Sequence, residues 1–188
     1  MVYCPQYSAK RRKVRMKIFI AYESPAGGTR KMAELLGSLL PAESAALFDL
    51  RKEMPNPADF DFAVVGGPVY MGRLTGRLRR FLVRSGGQIT AMPHALFLCG
   101  GYGDLFEDRL ARLFPAQMVE SAVVTGYFGG ELIPEAQKGF LRRQFVRHLR
   151  QQILESEDPD EVLPTLLPEQ VSAFSDAIRH FWAGKKEN

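Results

Sequence analysis

Short apolar runs alternate along the chain with longer stretches whose apolar positions return every three or four residues. The run MKIFIAY (16–22) predicts a strand, and Met32, Leu35, Leu36, Leu39 and Leu40 repeat at helical spacing within 29–40. AALFDL (45–50) predicts a second strand, stopped by the breaker-rich EMPNPADF. DFAVVGG (61–67) predicts a third, with a helix from Arg73 to Arg84, and HALFLCGG (94–101) a fourth, followed by a helix carrying Phe106, Leu110, Leu113 and Phe114 on one face. SAVVTGYF (121–128) predicts the fifth strand, and 168–182 a closing helix with Val171, Phe174, Ile178 and Phe181 aligned. Continuous apolar strands separated by amphipathic helices are what a parallel sheet covered on both faces requires. The expectation is a three-layer α/β sandwich with right-handed crossovers. Residues 129–167 break the rhythm, and a helix from Pro134 to Leu154 is expected within them.

Composition changes this picture little. A chain of 188 residues, 46% hydrophobic, can bury one good core, and residues 16–188 read as a single domain without internal repeats. The net charge of +4 belongs to an arm: residues 1–17 hold six of the 25 basic groups and no acid, leaving 19 basic against 21 acidic groups in the rest. Residues 1–15 are expected to be a disordered basic arm, or to precede a start at Met16. No stretch is long and apolar enough for a signal peptide or a membrane span. Nothing beyond the arm's charge suggests a nucleic-acid partner. Cys4 and Cys99 form no metal or disulfide pattern, so a reducing cytoplasm is the expected setting.

The candidate chemistry lies in loops. Ligands of open parallel sheets bind beyond the carboxyl ends of the strands, so the loops after strands one, three and four belong together. The first, ESPAGGT, offers the hydroxyls of Ser24 and Thr29 and the bare backbone of Gly27 and Gly28 at the mouth of a helix. Orphan N–H donors and a partial positive charge there suit a phosphate. The bland alternative is that Ser24 and Thr29 merely cap the helix. A P-loop lysine and the G-x-G-x-x-G spacing are both missing, which favours a terminal phosphate monoester. The second loop, GGPVYMGRLTGRL, places Tyr70 and Met71 at its edge; the third, CGGYGD, holds Tyr102 between glycines. Aromatics so placed suit stacking on a ring, although an ordinary turn tyrosine would look the same. Together the loops describe a phosphate-tailed, planar aromatic ligand.

From Met16 to about Gly130 the chain resembles the flavodoxin family. SPAGGTRKMAELL is similar to that family's phosphate loop, which implies that Ser24, Ala26, Gly27, Gly28 and Thr29 border the phosphate of FMN. The match departs at Ala26, where the family prefers threonine, and at Pro25, which has no N–H. GGPVYMGRLTGRLRRFL resembles the second flavin loop, implying Pro68, Val69, Tyr70, Met71 and Gly72 on one side of the isoalloxazine. GGYGD resembles the third, implying Gly101, Tyr102 and Gly103 on the other. The resemblance implies a five-stranded parallel sheet in the order 2-1-3-4-5. Within the family, GYFGGEL and the basic helix after it resemble the branch that includes menaquinone-dependent protoporphyrinogen oxidase, although that oxidase's long basic insertion after strand four is replaced here by the compact GGYGDLFEDRLARLFPAQ. That likeness implies an FMN oxidoreductase whose redox partner is a quinone, a porphyrinogen or another redox protein.

Flavin supplies its own redox chemistry, so no protein nucleophile is expected. Backbone near Gly67–Gly72 is the expected hydrogen-bonding partner of the flavin N5. His94, His148 and His180 lie on different elements and read as structural or exposed, and Cys99 as buried filler. The five arginines of RLTGRLRRFLVR read as a solvated face. KGFLRRQFVRHLR (138–150) reads either as a surface helix on the sheet or as an amphipathic basic helix making peripheral contact with an anionic membrane. Two other functional readings stay open: a plain electron carrier between proteins, and a cofactor-free interaction module.

Overall fold

The computed structural model describes residues 16–41, 45–101, 103–158 and 161–184; the arm at 1–15 and Tyr102 lie outside the described residues. Five strands, β1 (Ile18–Tyr22), β2 (Ala45–Asp49), β3 (Phe62–Tyr70), β5 (His94–Cys99) and β6 (Val124–Tyr127), form a parallel sheet in the order β2-β1-β3-β5-β6. This is the expected order, with one addition. A two-residue strand, β4 (Arg73–Leu74), pairs antiparallel with the end of β3.

Alternation along the central strands sorts their side chains into two cores. Ile18, Ile20, Val64 and Phe97 face α1 (Gly28–Leu39) and α6 (Pro168–Gly184), which contribute Met32, Leu36, Val171, Phe174 and Ile178. Phe19, Ala21, Val65 and Leu96 face α2 (Gly76–Thr90), α3 (Phe106–Leu113) and α4 (Ala116–Glu120), through Leu78, Phe81, Ile89, Leu110 and Met118. β1, β3 and β5 are buried over most of their length on both sides, which is why their sequences are almost wholly apolar, His94 at the start of β5 apart. Close approach also fixes composition at Gly66, where a Cβ would stand 2.3 Å from the Phe97 carbonyl oxygen.

The histidines divide as expected. His94 is fully buried, its ring nitrogens 2.8 Å from Met92 O and 2.7 Å from Met118 O, so it ties β5 to α4. His148 and His180 are exposed, as are Arg73, Arg77, Arg79, Arg80 and Arg84.

Two boundaries differ from expectation for physical reasons. The second helix starts at Gly76, not Arg73, because Arg73 and Leu74 are held by the β3–β4 pairing. The helix expected over 134–154 runs from Phe140 to Glu155 (α5), after a short 3-10 turn at Pro134–Ala136. Proline is suited to that first turn, and Gly139, with φ of +94°, separates the two. The segment between β6 and α6 is an excursion that returns on itself: Gly129 bridges Leu166, and Gly130 N–H donates to Thr165 O at 3.0 Å. Within it, α5 buries only Val146 and Ile153, and neither joins the two central cores.

Candidate functional site

Loop one begins where β1 leaves the sheet. Gly27, with φ of +95°, turns the chain into α1, a left-handed conformation that glycine adopts freely. The Arg30 N–H donates to Ser24 Oγ at 2.9 Å, so one orphan donor of the first turn is satisfied from within the loop. Helix geometry leaves the N–H groups of Gly28 and Thr29 without intrahelical acceptors. Ala26 is half-buried between these donors and Ser24. Thr29 is buried, and its side chain stands beside the Cys99 thiol at the end of β5, opposing part of the effect of burial on it. Burial pushes that thiol up to about 12 despite the Thr29 contact, so Cys99 is held protonated.

The second loop is a hairpin. β3 runs through Pro68 and Val69 to Tyr70, which pairs with Arg73, so Met71 and Gly72 alone make the turn. Their φ values, +48° and +71°, have the signs of a type I′ turn, whose twist matches that of the flanking strands. Methionine is an unusual occupant of such a position, so the sequence carried only half of the turn signal. The Met71 side chain is 82% exposed.

The third loop is braced from beneath. Tyr127 Oη donates to Gly100 O, and Arg109 donates to Gly101 O at 2.7 Å. A Cβ on Gly103 would lie 2.7 Å from the Tyr127 ring, so Gly103 is packed against it.

The three loops meet. Thr29 and Cys99 join the first to the third, and a Cβ on Gly100 would lie 3.5 Å from Val69 O, in contact with the second. Glu23 joins the first to the second: its buried Oε2 accepts N–H bonds from Arg77 and Leu78 at 3.1 Å, capping α2. Thr75 stands at the N-cap position of α2 but makes no cap bond, and its hydroxyl lacks a partner among the described residues.

Sequence reasoning did not reach Glu23, nor the residues that the excursion brings to the site. A Cβ on Gly28 would lie 3.6 Å from Leu166 Cδ2 and 3.8 Å from Glu131 Oε2. Glu131 is paired with Lys31 at 3.0 Å, so its charge at the mouth of α1 is matched. Pro164 lies against Gly101, and the Arg142 guanidinium stands 5.8 Å from the centre of the Tyr70 ring. A cleft of about 220 Å³ opens on the excursion, bounded by Glu131, Ile133, Arg150 and Pro164, outside the trio of loops.

These features fit a phosphate-tailed planar group. The first turn of α1 contains no acid, and helix geometry leaves the N–H groups of Gly28 and Thr29 without intrahelical acceptors. Tyr70 stands half-buried at the end of β3, its ring within cation–π range of Arg142. Among the described residues no group of three or more potential metal ligands occurs.

A parallel sheet in this order, with small-residue loops and an anion-ready helix mouth at one edge, defines a flavodoxin-like α/β protein. The chain belongs to the flavodoxin domain family, whose sequence profile matches residues 19–160. Its fold is similar to that of a Fusobacterium nucleatum flavodoxin bound to flavin mononucleotide: TM-score 0.53, 11% identity, 88% of this chain and 98% of that one covered. A short-chain flavodoxin associated with a non-canonical PDU bacterial microcompartment matches at a TM-score of 0.53 and 12% identity, with the same coverages. No curated protein sequence matches the chain at a significant level.

Proposed function

We propose that this protein is an FMN-dependent oxidoreductase that passes electrons between the flavin and a small organic partner, a quinone or a porphyrinogen. The observation that carries the reading is the meeting of the three loops around the mouth of α1, with Thr29 beside Cys99, Gly100 against Val69 and Tyr70 at the end of β3. In it, Ser24, Ala26, Gly27, Gly28 and Thr29 border the phosphate. Pro68–Gly72 border one side of the ring system, and Gly101, Tyr102 and Gly103 the other. FMN, when bound, supplies the one- and two-electron chemistry, and the chain supplies position and electrostatics.

The chain's own contributions follow from its loops. The α1 mouth holds the dianionic tail by N–H donors and dipole. The Met71–Gly72 turn presents backbone N–H and C=O groups at the rim, where one can meet the N5 position. Arg142, beside Tyr70, places a positive charge at the ring end. Such a charge favours a reduced, anionic ring over a neutral one.

The test is the visible absorption spectrum of the purified protein before and after addition of FMN, followed by anaerobic mixing of the reduced protein with quinones and with protoporphyrin precursors. A flavin band retained by the protein and reoxidation by a small molecule support the reading. Glu131 and Arg142 favour one competitor, a cofactor-free module, because they set the chain's own side chains against the loops. A protein that FMN cannot load would establish that competitor. Loading without small-molecule turnover would leave the electron-carrier function.

A further inference from the structure

α5 is a helix with too little to cover it. Of its sixteen residues only Val146 and Ile153 are buried. Phe140, Leu141 and Phe145 are 72%, 83% and 49% exposed. At about 100° of rotation per residue, Phe140 and Leu141 point about 120° and 140° away from Val146 and look outward from the body, while Phe145, at about 100°, lies along the side of the helix. Exposed aromatic and aliphatic side chains grouped in this way mark an interaction surface.

Charge decides what that surface meets. α5 carries four arginines and a single acid, Glu155 at its last position, and Lys138 precedes it. Arg143 and Arg147, one turn apart, are exposed on the flank of the outward apolar side chains, and Lys138 is exposed just before the helix. Large apolar groups on a convex helix, bordered by exposed cations, match the interface of an anionic bilayer, where the apolar groups enter the acyl boundary and the cations meet headgroup phosphates. No helix among the described residues is long and apolar enough to cross a membrane, so the attachment is to the surface.

The surface is also continuous with the site. Arg142, in the first turn of α5, stands over Tyr70, and Met71 beside it is the exposed tip of the second loop.

We infer that the outward face of α5, with Phe140, Leu141 and Phe145 flanked by Arg143 and Arg147, docks the protein on an anionic lipid surface, turning the Tyr70 edge of the site toward the bilayer. This deepens the function proposed above by naming the lipid interface as the source of the small organic partner, and rests on that function only for this last clause.

The test is flotation of the full chain with phosphatidylcholine vesicles and with vesicles containing about 30% phosphatidylglycerol, at low and high salt. Preference for the anionic vesicles of about tenfold, reduced by salt, is expected. The double variant Leu141→Gln/Phe145→Gln should lose binding to both vesicle types, and Arg143→Gln/Arg147→Gln should lose only the preference for phosphatidylglycerol. All four positions are exposed, and unchanged melting temperatures would confirm that folding is intact. Absence of vesicle binding, or binding that both variants retain, would overturn the inference, as would a wild-type dimer that Leu141→Gln/Phe145→Gln converts to monomer. An acidic protein that competes fully for α5 while vesicles do not bind would overturn it in favour of a protein partner. FMN titration of the same variants separates this outcome from failure of the proposed cofactor site, because none of the four residues borders it.

Discussion

Replacing Glu23 by Ala removes an acceptor on which two elements depend. Its carboxylate is buried and receives the N–H groups of Arg77 and Leu78, both at 3.1 Å, so loop one caps the helix that follows loop two. Hydrogen bonds to a charged group contribute about 1.5–3 kcal/mol each, and a carboxylate at a helix N-terminus up to about 2 kcal/mol by the dipole, though these overlap because the same two N–H groups make both. A loss of about 3 kcal/mol is the expected sum. For a chain of 188 residues that corresponds to a fall in melting temperature of roughly 6–12 °C. Glu23→Gln keeps an oxygen acceptor and loses the charge, so it should cost about half as much. Urea denaturation followed by far-UV circular dichroism measures both, with slopes compared to ensure that the unfolded state is unchanged. If Glu23→Ala lies within about 0.5 kcal/mol of the wild type, as ordinary surface changes do, the carboxylate is not capping α2 and the coupling of the first two loops is wrong.

Other expectations are narrower. Gly72→Ala meets no atom within 4 Å of the new Cβ, so the loss of about 1–2 kcal/mol expected from its left-handed φ would be purely conformational, while Met71→Asn should gain stability by supplying the preferred Asn-Gly turn; urea midpoints of opposite sign would check both. If the α1 mouth holds a phosphate, FMN should bind at least about 100-fold more tightly than riboflavin, worth about 2.7 kcal/mol, and equal constants by fluorescence titration would remove that role. Tyr102→Ala should weaken flavin binding by about 1–3 kcal/mol if the ring stacks, as read from the same titration. In a Cys4→Ser background Cys99 should resist thiol reagents until the chain unfolds, since its pKa is raised by burial to about 12. Because the folded value exceeds the unfolded one, the protonated thiol's contribution is complete below about pH 9 and is lost as pH rises toward 12, which pH-dependent unfolding would register.

The elements buried on both faces were legible because burial leaves one kind of pattern. β1, β3 and, beyond His94, β5 are nearly continuous apolar runs, and Met32 and Leu36 or Phe174 and Ile178 recur at helical spacing because one side of each helix faces the sheet. The entry into α1 was legible for a related reason: small residues before a helix predict a tight turn into it, which Gly27 makes with a positive φ while Ser24 accepts the Arg30 N–H. Contacts across the chain were not. Glu23 reads as one acid in a polar loop, and only the fold brings the start of α2 to it, 54 residues further on. The hairpin at Met71–Gly72 lacked the asparagine that announces such turns, and the stretch at 164–167 gave no strand pattern because it makes a single bridge rather than a ladder. Arg142 was visible as charge, but its place over Tyr70 depends on where the excursion folds.

That excursion leaves and rejoins the body at almost the same point. Gly129 and Leu166 are bridged, and Gly130 N–H and Thr165 O are 3.0 Å apart, so the span from Glu131 to Pro164 is a side branch with a closed neck. The free energy of closing such a branch varies only with the logarithm of its length. The neck therefore works as a socket: what is plugged into it can be lengthened, trimmed or exchanged while the sheet stays in register. The branch nonetheless touches the loops, since Glu131 pairs with Lys31 and Arg142 stands over Tyr70, so a short linker from Gly130 to Thr165 should keep the sheet while removing those two contacts.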